Sequence, residues 1–294
     1  MSELRTAGAI YDLGYQHYSG ARLGRWYAFR TLLAYSFRTA FGLGRGDKAK
    51  SLPVIIVALV YLPAMIQVAI ASAAGMSQMI HYADHLEFTA FLLALYAAGQ
   101  APELIVSDKQ QGVLTLYLSR PIRGTDYALA KLLAMSGAML ILTLGPQITL
   151  FLGVLFVSPT PWETFTKEWT KIFPIVGGTV VVSVFFAALG LSLSSMASRK
   201  GYASASVIAF FLLSAGFSEI VRNVGFGGIE RYAVLGNTAT LISGFAKWLF
   251  EVEARRRSAV GRADLPGTLY LYVILVITAI AIAMLLRRYR KGDA

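Results

Sequence analysis

The chain has 294 residues, a formal net charge of +11 and no cysteine. Hydrophobic residues make up 56% of it and charged residues only 15%, where an ordinary soluble domain carries about a quarter. The apolar residues fall in long runs, which points to an all-α, multi-pass membrane protein; the missing cysteine excludes disulfides and thiolate-held metals.

Residues 1–50 form an N-terminal segment with eight Lys/Arg against three acids. Its opening, MSELRTAGAIYDLGY, lacks a basic first region and a continuous apolar one, so it does not read as a cleaved signal peptide. From Arg22 to Phe41 the chain is helix-compatible, with Arg22, Arg25, Arg30 and Arg38 among six aromatics, Trp26 included. That is too much charge for a span. Arginine and aromatic side chains both suit the headgroup zone, so the expectation is an interfacial helix, followed by a basic glycine hinge at Gly42–Gly46.

Residues 51–294 read as one membrane domain of six spans. The first covers Leu52–Ala74. A polar connection with His81, Asp84, His85 and Glu87 follows. His81 and His85 are four apart, a spacing that can hold a metal on a helix, but a polar outer loop explains them equally and no metal is assigned. The second span is Phe88–Val106. The third, Leu129–Val157, is interrupted at Gly145-Pro146-Gln147, where proline removes a backbone hydrogen bond. Ser158–Lys171 is an outer loop with Trp162 and Trp169 as anchors. The fourth span is Ile172–Ala197, rich in small residues that permit close helix approach. The fifth runs from Tyr202 and fades near Phe217, and the sixth is Leu269–Leu286. Residues 218–265, with seven Lys/Arg against five acids, are placed outside by the span count, a cytoplasmic placement being the alternative; within them a moderately apolar Ala233–Glu251 suits a pair of short helices at the membrane face.

With both termini inside, the cytoplasmic side takes 18 of the 27 basic residues, as the positive-inside tendency requires. Since these residues flank apolar runs, the positive charge fits membrane lipids rather than nucleic acid. The span centres hold no Asp, Glu, Lys or Arg, so an ion-coupled carrier would lack an acidic relay. No paired carboxylates, Ser/His/Asp set or zinc-protease motif is present, and the chain is not expected to be an enzyme. Mild polar groups inside the spans, Gln67, Gln100, Gln147, Ser183 and Ser192, are the candidates for a substrate path.

The most informative stretch lies between spans two and three, Pro102–Lys131. It carries Glu103, Asp108 and Gly112, then the apolar piece Val113–Leu118 with Leu116, then Ser119-Arg120-Pro121-Ile122-Arg123, with Tyr127 and Lys131 following. A loop both charged and partly apolar has a face to bury. Docking of a soluble partner explains it better than a tether does. These residues, with the N-terminal Ile10-Tyr11-Asp12 and Gly20-x-Arg22-Leu23, resemble the permease subunits of ABC-2 type transporters. That group includes bacterial drug and lipid exporters and the copper-maturation permease of nitrous oxide reductase clusters.

The resemblance implies a bacterial inner-membrane permease that exports a hydrophobic or amphipathic substrate. It would pair with a second permease copy, identical or related, above two copies of a cytoplasmic nucleotide-binding ATPase. ATP and magnesium would belong to that ATPase, and this chain would hold no cofactor. Residues 107–128 would contain the coupling helix, with Val113–Leu118 as its apolar anchor and Asp108, Arg120 and Arg123 orienting the dock. The alternatives are a stand-alone carrier or channel, and an ABC permease serving metal-cofactor maturation.

Overall fold

The computed structural model describes residues 20, 23–44, 46–118, 122–224 and 229–290. Among these the secondary structure is entirely helical. This follows from the solvent: in lipid a backbone N–H or C=O has no water to bond, and a helix satisfies both within one segment. Six stretches are long and apolar enough to cross a membrane, in the expected order.

The helices are α1 (Arg25–Ala40), α2 (Asp47–Ala74), α3 (Tyr82–Gln110), α4 (Val113–Leu118), α5 (Gly124–Val157), α6 (Pro161–Glu168), α7 (Ile172–Met196), α8 (Lys200–Val224), α9 (Thr238–Leu249), α10 (Ala259–Ala263) and α11 (Gly267–Arg290). The spans are α2, α3, α5, α7, α8 and α11, with α6 leading into α7. At the centre, α3 packs on α7, α8 and α9, while α5 packs on α1, α2, α7 and α11. Small residues set the closest seam. A Cβ built on Gly190 of α7 would lie 3.0 Å from the Cβ of Ala97 on α3, with Ala101 next to it.

Several helices outrun their apolar runs. The second span begins at Tyr82 rather than Phe88 and ends at Gln110 rather than Val106. The fifth continues past Phe217 to Val224, through a Glu219–Arg222 pair at 2.8 Å. Charged ends stop an apolar run but not a helix when they are paired or reach water. Pro146 does not interrupt α5 either, which continues for 34 residues. Tyr61 of α2 donates to the Ile141 carbonyl at 3.1 Å, in the turns that this proline disturbs.

The Pro102–Lys131 stretch is mostly helix rather than loop. Pro102 to Gln110 completes α3, and Gly124 onward belongs to α5. Gly112 takes φ +67°, a left-handed conformation that glycine adopts without strain, and so turns the chain from α3 into α4. α1 runs beside the first half of α5, with Arg25 at Asp126 and Phe37 against Gly137. Its Leu32 and Ala40 join the central core, so α1 and the spans form one packed unit.

Residues 229–249 form a 3-10 turn (Ile229–Leu235) and α9. Ser243 and Lys247 of α9 reach Glu87 at the start of α3, at 2.8 and 3.4 Å. This segment therefore lies at the same end as the 75–81 and 158–171 connections, opposite the start of α1.

Substituting Gly190→Leu should force α3 and α7 apart, because the Ala97 and Ala101 side chains have no flexible end to move. The expected cost is about 1–3 kcal/mol, typical of core overpacking, read as a lower melting temperature in detergent. An unchanged melting temperature would show that the seam is not tightly packed.

Candidate partner-docking surface

The last turn of α3 is fastened on three sides. Asp108, 7% exposed, accepts from Lys131 Nζ at 2.7 Å and from the Tyr127 hydroxyl at 2.8 Å, both on α5. Lys131 is only 1% exposed. Lys109 donates to the Ser195 carbonyl at 2.5 Å and Gln110 to the Ser198 carbonyl at 3.2 Å, filling acceptors left open where α7 ends. Glu103, one turn earlier still, accepts from Lys200 of α8 at 2.9 Å and from Ser107 at 3.0 Å.

Aromatic rings complete this layer. Tyr127 lies between Tyr117 of α4, at 6.1 Å, and Tyr289 of α11, at 5.1 Å. Lys109 Nζ sits 5.8 Å from the Tyr289 ring centroid. The short helix α4 is thus seated on α5, and through α5 on α11.

α1 is pinned by one bidentate pair. Arg25 Nε and Nη2 reach the two oxygens of Asp126 at 2.6 and 2.5 Å, and the Arg123 backbone N–H donates to the same carboxylate at 3.1 Å. Asp126 stands three residues after Arg123, so it also satisfies an orphan donor at the start of α5. The hydrogen bond to Asp126 raises the Arg25 guanidinium above its ordinary value. Arg25 is half exposed, so solvent screens the attraction, and the fork geometry fixes where α1 sits more than it adds stability.

Between α1 and α4 lies a cavity of about 560 Å³ with apolar walls, among them Tyr27, Leu32, Val113, Leu116, Tyr117 and Ile122. Leu116 is 63% exposed on it. An exposed leucine beside a shaped apolar hollow makes this a candidate docking surface.

The sequence-derived residues distribute as follows. Glu103, Asp108, Gly112, Val113, Leu116 and Arg123 converge on this end; Arg22, Arg120 and Pro121 lie outside the described residues. Asp108 does not stand at the rim. Its carboxylate is buried inside the chain, so it braces the surface from behind. Trp26, stacked on Phe29 at 5.5 Å, is exposed with Arg30 and Arg38 along α1. Asp126 and Tyr289 carry no signal of a site in the sequence, although the spacing of Asp126 after Arg123 marks a helix start.

The path candidates are scattered and drawn into this chain's own packing. Gln67 accepts from the His81 N–H at 3.4 Å, Gln147 donates to the Tyr82 carbonyl at 3.0 Å, and Ser183 meets Thr143 at 3.0 Å. Gln100 and Ser192 are buried. His81 and His85 diverge: His81 Nδ1 donates to the Met79 carbonyl at 2.9 Å, while buried His85 donates to the Val60 carbonyl at 3.1 Å. Among the described residues no group of three His, Cys, Asp or Glu could hold a metal.

Replacing Asp108 with alanine would leave Lys131 charged and buried, at an expected cost of about 3–5 kcal/mol. The double variant Asp108→Leu/Lys131→Met should recover much of that loss in thermal unfolding. A double variant no more stable than Asp108→Ala would remove the pair from its bracing role.

A family model described as ABC-2 family transporter protein matches residues 22–294. No curated protein gives a significant match. With six helices long and apolar enough to cross a membrane and a family match over most of its length, the chain belongs to the ABC-2 family of transporter proteins.

Proposed function

We propose that the chain is the membrane subunit of an ATP-driven exporter, paired with a second permease copy above two nucleotide-binding ATPase subunits. The observation that carries this reading is the apolar hollow between α1 and α4, with Leu116 exposed on it and α4 braced on α5 and α11. ATP and magnesium are bound by the partner. Its motion reaches the spans through α4 and the buried Asp108–Lys131 pair.

The end bearing α1 and α4 is assigned to the cytoplasm of a bacterial inner membrane, because it carries the larger share of the basic residues. The substrate path runs between the two copies, along α2, α8 and α11, the spans least covered within this chain. The apolar character of these faces favours a hydrophobic or amphipathic substrate.

Leu116→Asp tests the assignment. Seating one leucine is worth about 1.5–3 kcal/mol, so its loss should weaken ATPase association about tenfold to a hundredfold. The permease should still insert. The measurement is recovery of a nucleotide-binding subunit and its hydrolysis rate after affinity purification in mild detergent. Wild-type recovery and rate would sink the docking role of α4.

A further inference from the structure

At the end opposite α4, the first turns of α3 and α7 and the C-terminus of α9 enclose a cavity of about 650 Å³. This lies within the size range of small-molecule sites. Tyr82 and Phe250 stack at 5.7 Å on one side, and Phe173 contributes a third ring. Exposed Trp169 and Phe173 mark the headgroup level, where an amphiphile would present its polar head.

The polar lining is unevenly charged. Lys171 lies over the Tyr82 ring at 5.8 Å, and its ammonium is taken by Glu168 at 2.6 Å. Lys247, in the adjoining recess, is taken by Glu87. His81 donates from Nδ1 to the Met79 carbonyl. Glu251, exposed at the cavity wall, forms no ion pair among the described residues, whereas Lys171 and Lys247 beside it are each paired with another carboxylate.

Glu251 also occupies an unusual position. Val252 N–H bonds the Lys247 carbonyl at 2.8 Å and Glu251 N–H bonds the Trp248 carbonyl at 3.3 Å, which is the Schellman arrangement at the end of α9. Its left-handed residue, φ +55°, is ordinarily glycine. Here a glutamate is held in that conformation, at the wall of a cavity.

We propose that this cavity binds the head of a cationic amphiphile, an organic amine or onium ion on an apolar body, with Glu251 as its counter-charge and the three rings as its walls. The proposal names a substrate class for the exporter and rests on that reading for its role in transport. Binding itself needs only the permease.

The test is saturable binding of tetraphenylphosphonium to the purified permease in detergent, against the isosteric anion tetraphenylborate, in wild type, Glu251→Gln and Glu251→Gly. Wild type should bind the cation and not the anion, and both variants should lose at least tenfold in affinity. Glu251→Gly should melt higher than wild type, which separates lost charge from lost fold. Equal binding of the two ions, no saturable binding of the cation, or full affinity in Glu251→Gln would overturn the inference. None of these outcomes bears on the α4 groove, and a failure of Leu116→Asp to release the ATPase would leave this binding result standing.

Discussion

A lysine ammonium withdrawn almost wholly from solvent must meet its counter-charge inside the protein, or the helix that carries it cannot pack. Lys131 meets Asp108, and Tyr127 supplies the carboxylate with a second donor. The pair joins the last turn of α3 to the first turns of α5. Because α4 hangs between those two helices, its position depends on the pair. The same turn of α3 closes the end of α7 through Lys109 and lies against α11 through Tyr289. Four helices are thus registered against one short polar layer.

The helices that carry this layer are longer than the hydrocarbon requires. At 1.5 Å per residue, the 29 residues of α3 and the 34 of α5 reach about 44 and 51 Å, against a hydrocarbon core of about 30 Å. The excess lets acids and bases pair at the rim while the span centres stay apolar. It also gives α1 a stretch of α5 to stand against, where Arg25 pairs with Asp126.

Six spans and their order were legible in the sequence, because an uninterrupted apolar run of about 20 residues is too long for a strand and too uniformly apolar for a helix with a wet face. The helix ends were not. Hydropathy falls at Asp108 and Lys109, yet the helix continues, since partners 86 residues away at Ser195 and on α5 accept those charges. For the same reason Asp108 reads as a rim residue in one dimension and proves to be buried in three. Val113 and Leu116 stood out in the sequence as apolar positions inside a polar stretch, and both line the hollow beside α1. The other wall of that hollow did not stand out, because Tyr27 and Leu32 are distant in sequence and are brought there by the Arg25–Asp126 pair. The cavity at the end opposite α4 left no local signal at all: Tyr82, Phe173 and Glu251 belong to the start of α3, the start of α7 and the chain after α9.

Among the spans, α11 has an unusual mechanical character. It carries no proline, and its only glycine is Gly267, the first residue. α2, α3 and α5 each hold proline within the helix. Proline and small residues are where helices bend, so α11 is a stiff rod 24 residues long. Its foot, at Tyr289, touches Tyr127 in the polar layer. At its head, Gly267 and Tyr270 sit against Trp248 and Gly244 of α9, the helix whose end forms a wall of the outer cavity. One uninterrupted helix thus links the polar layer at one end of the molecule to the wall of the cavity at the other.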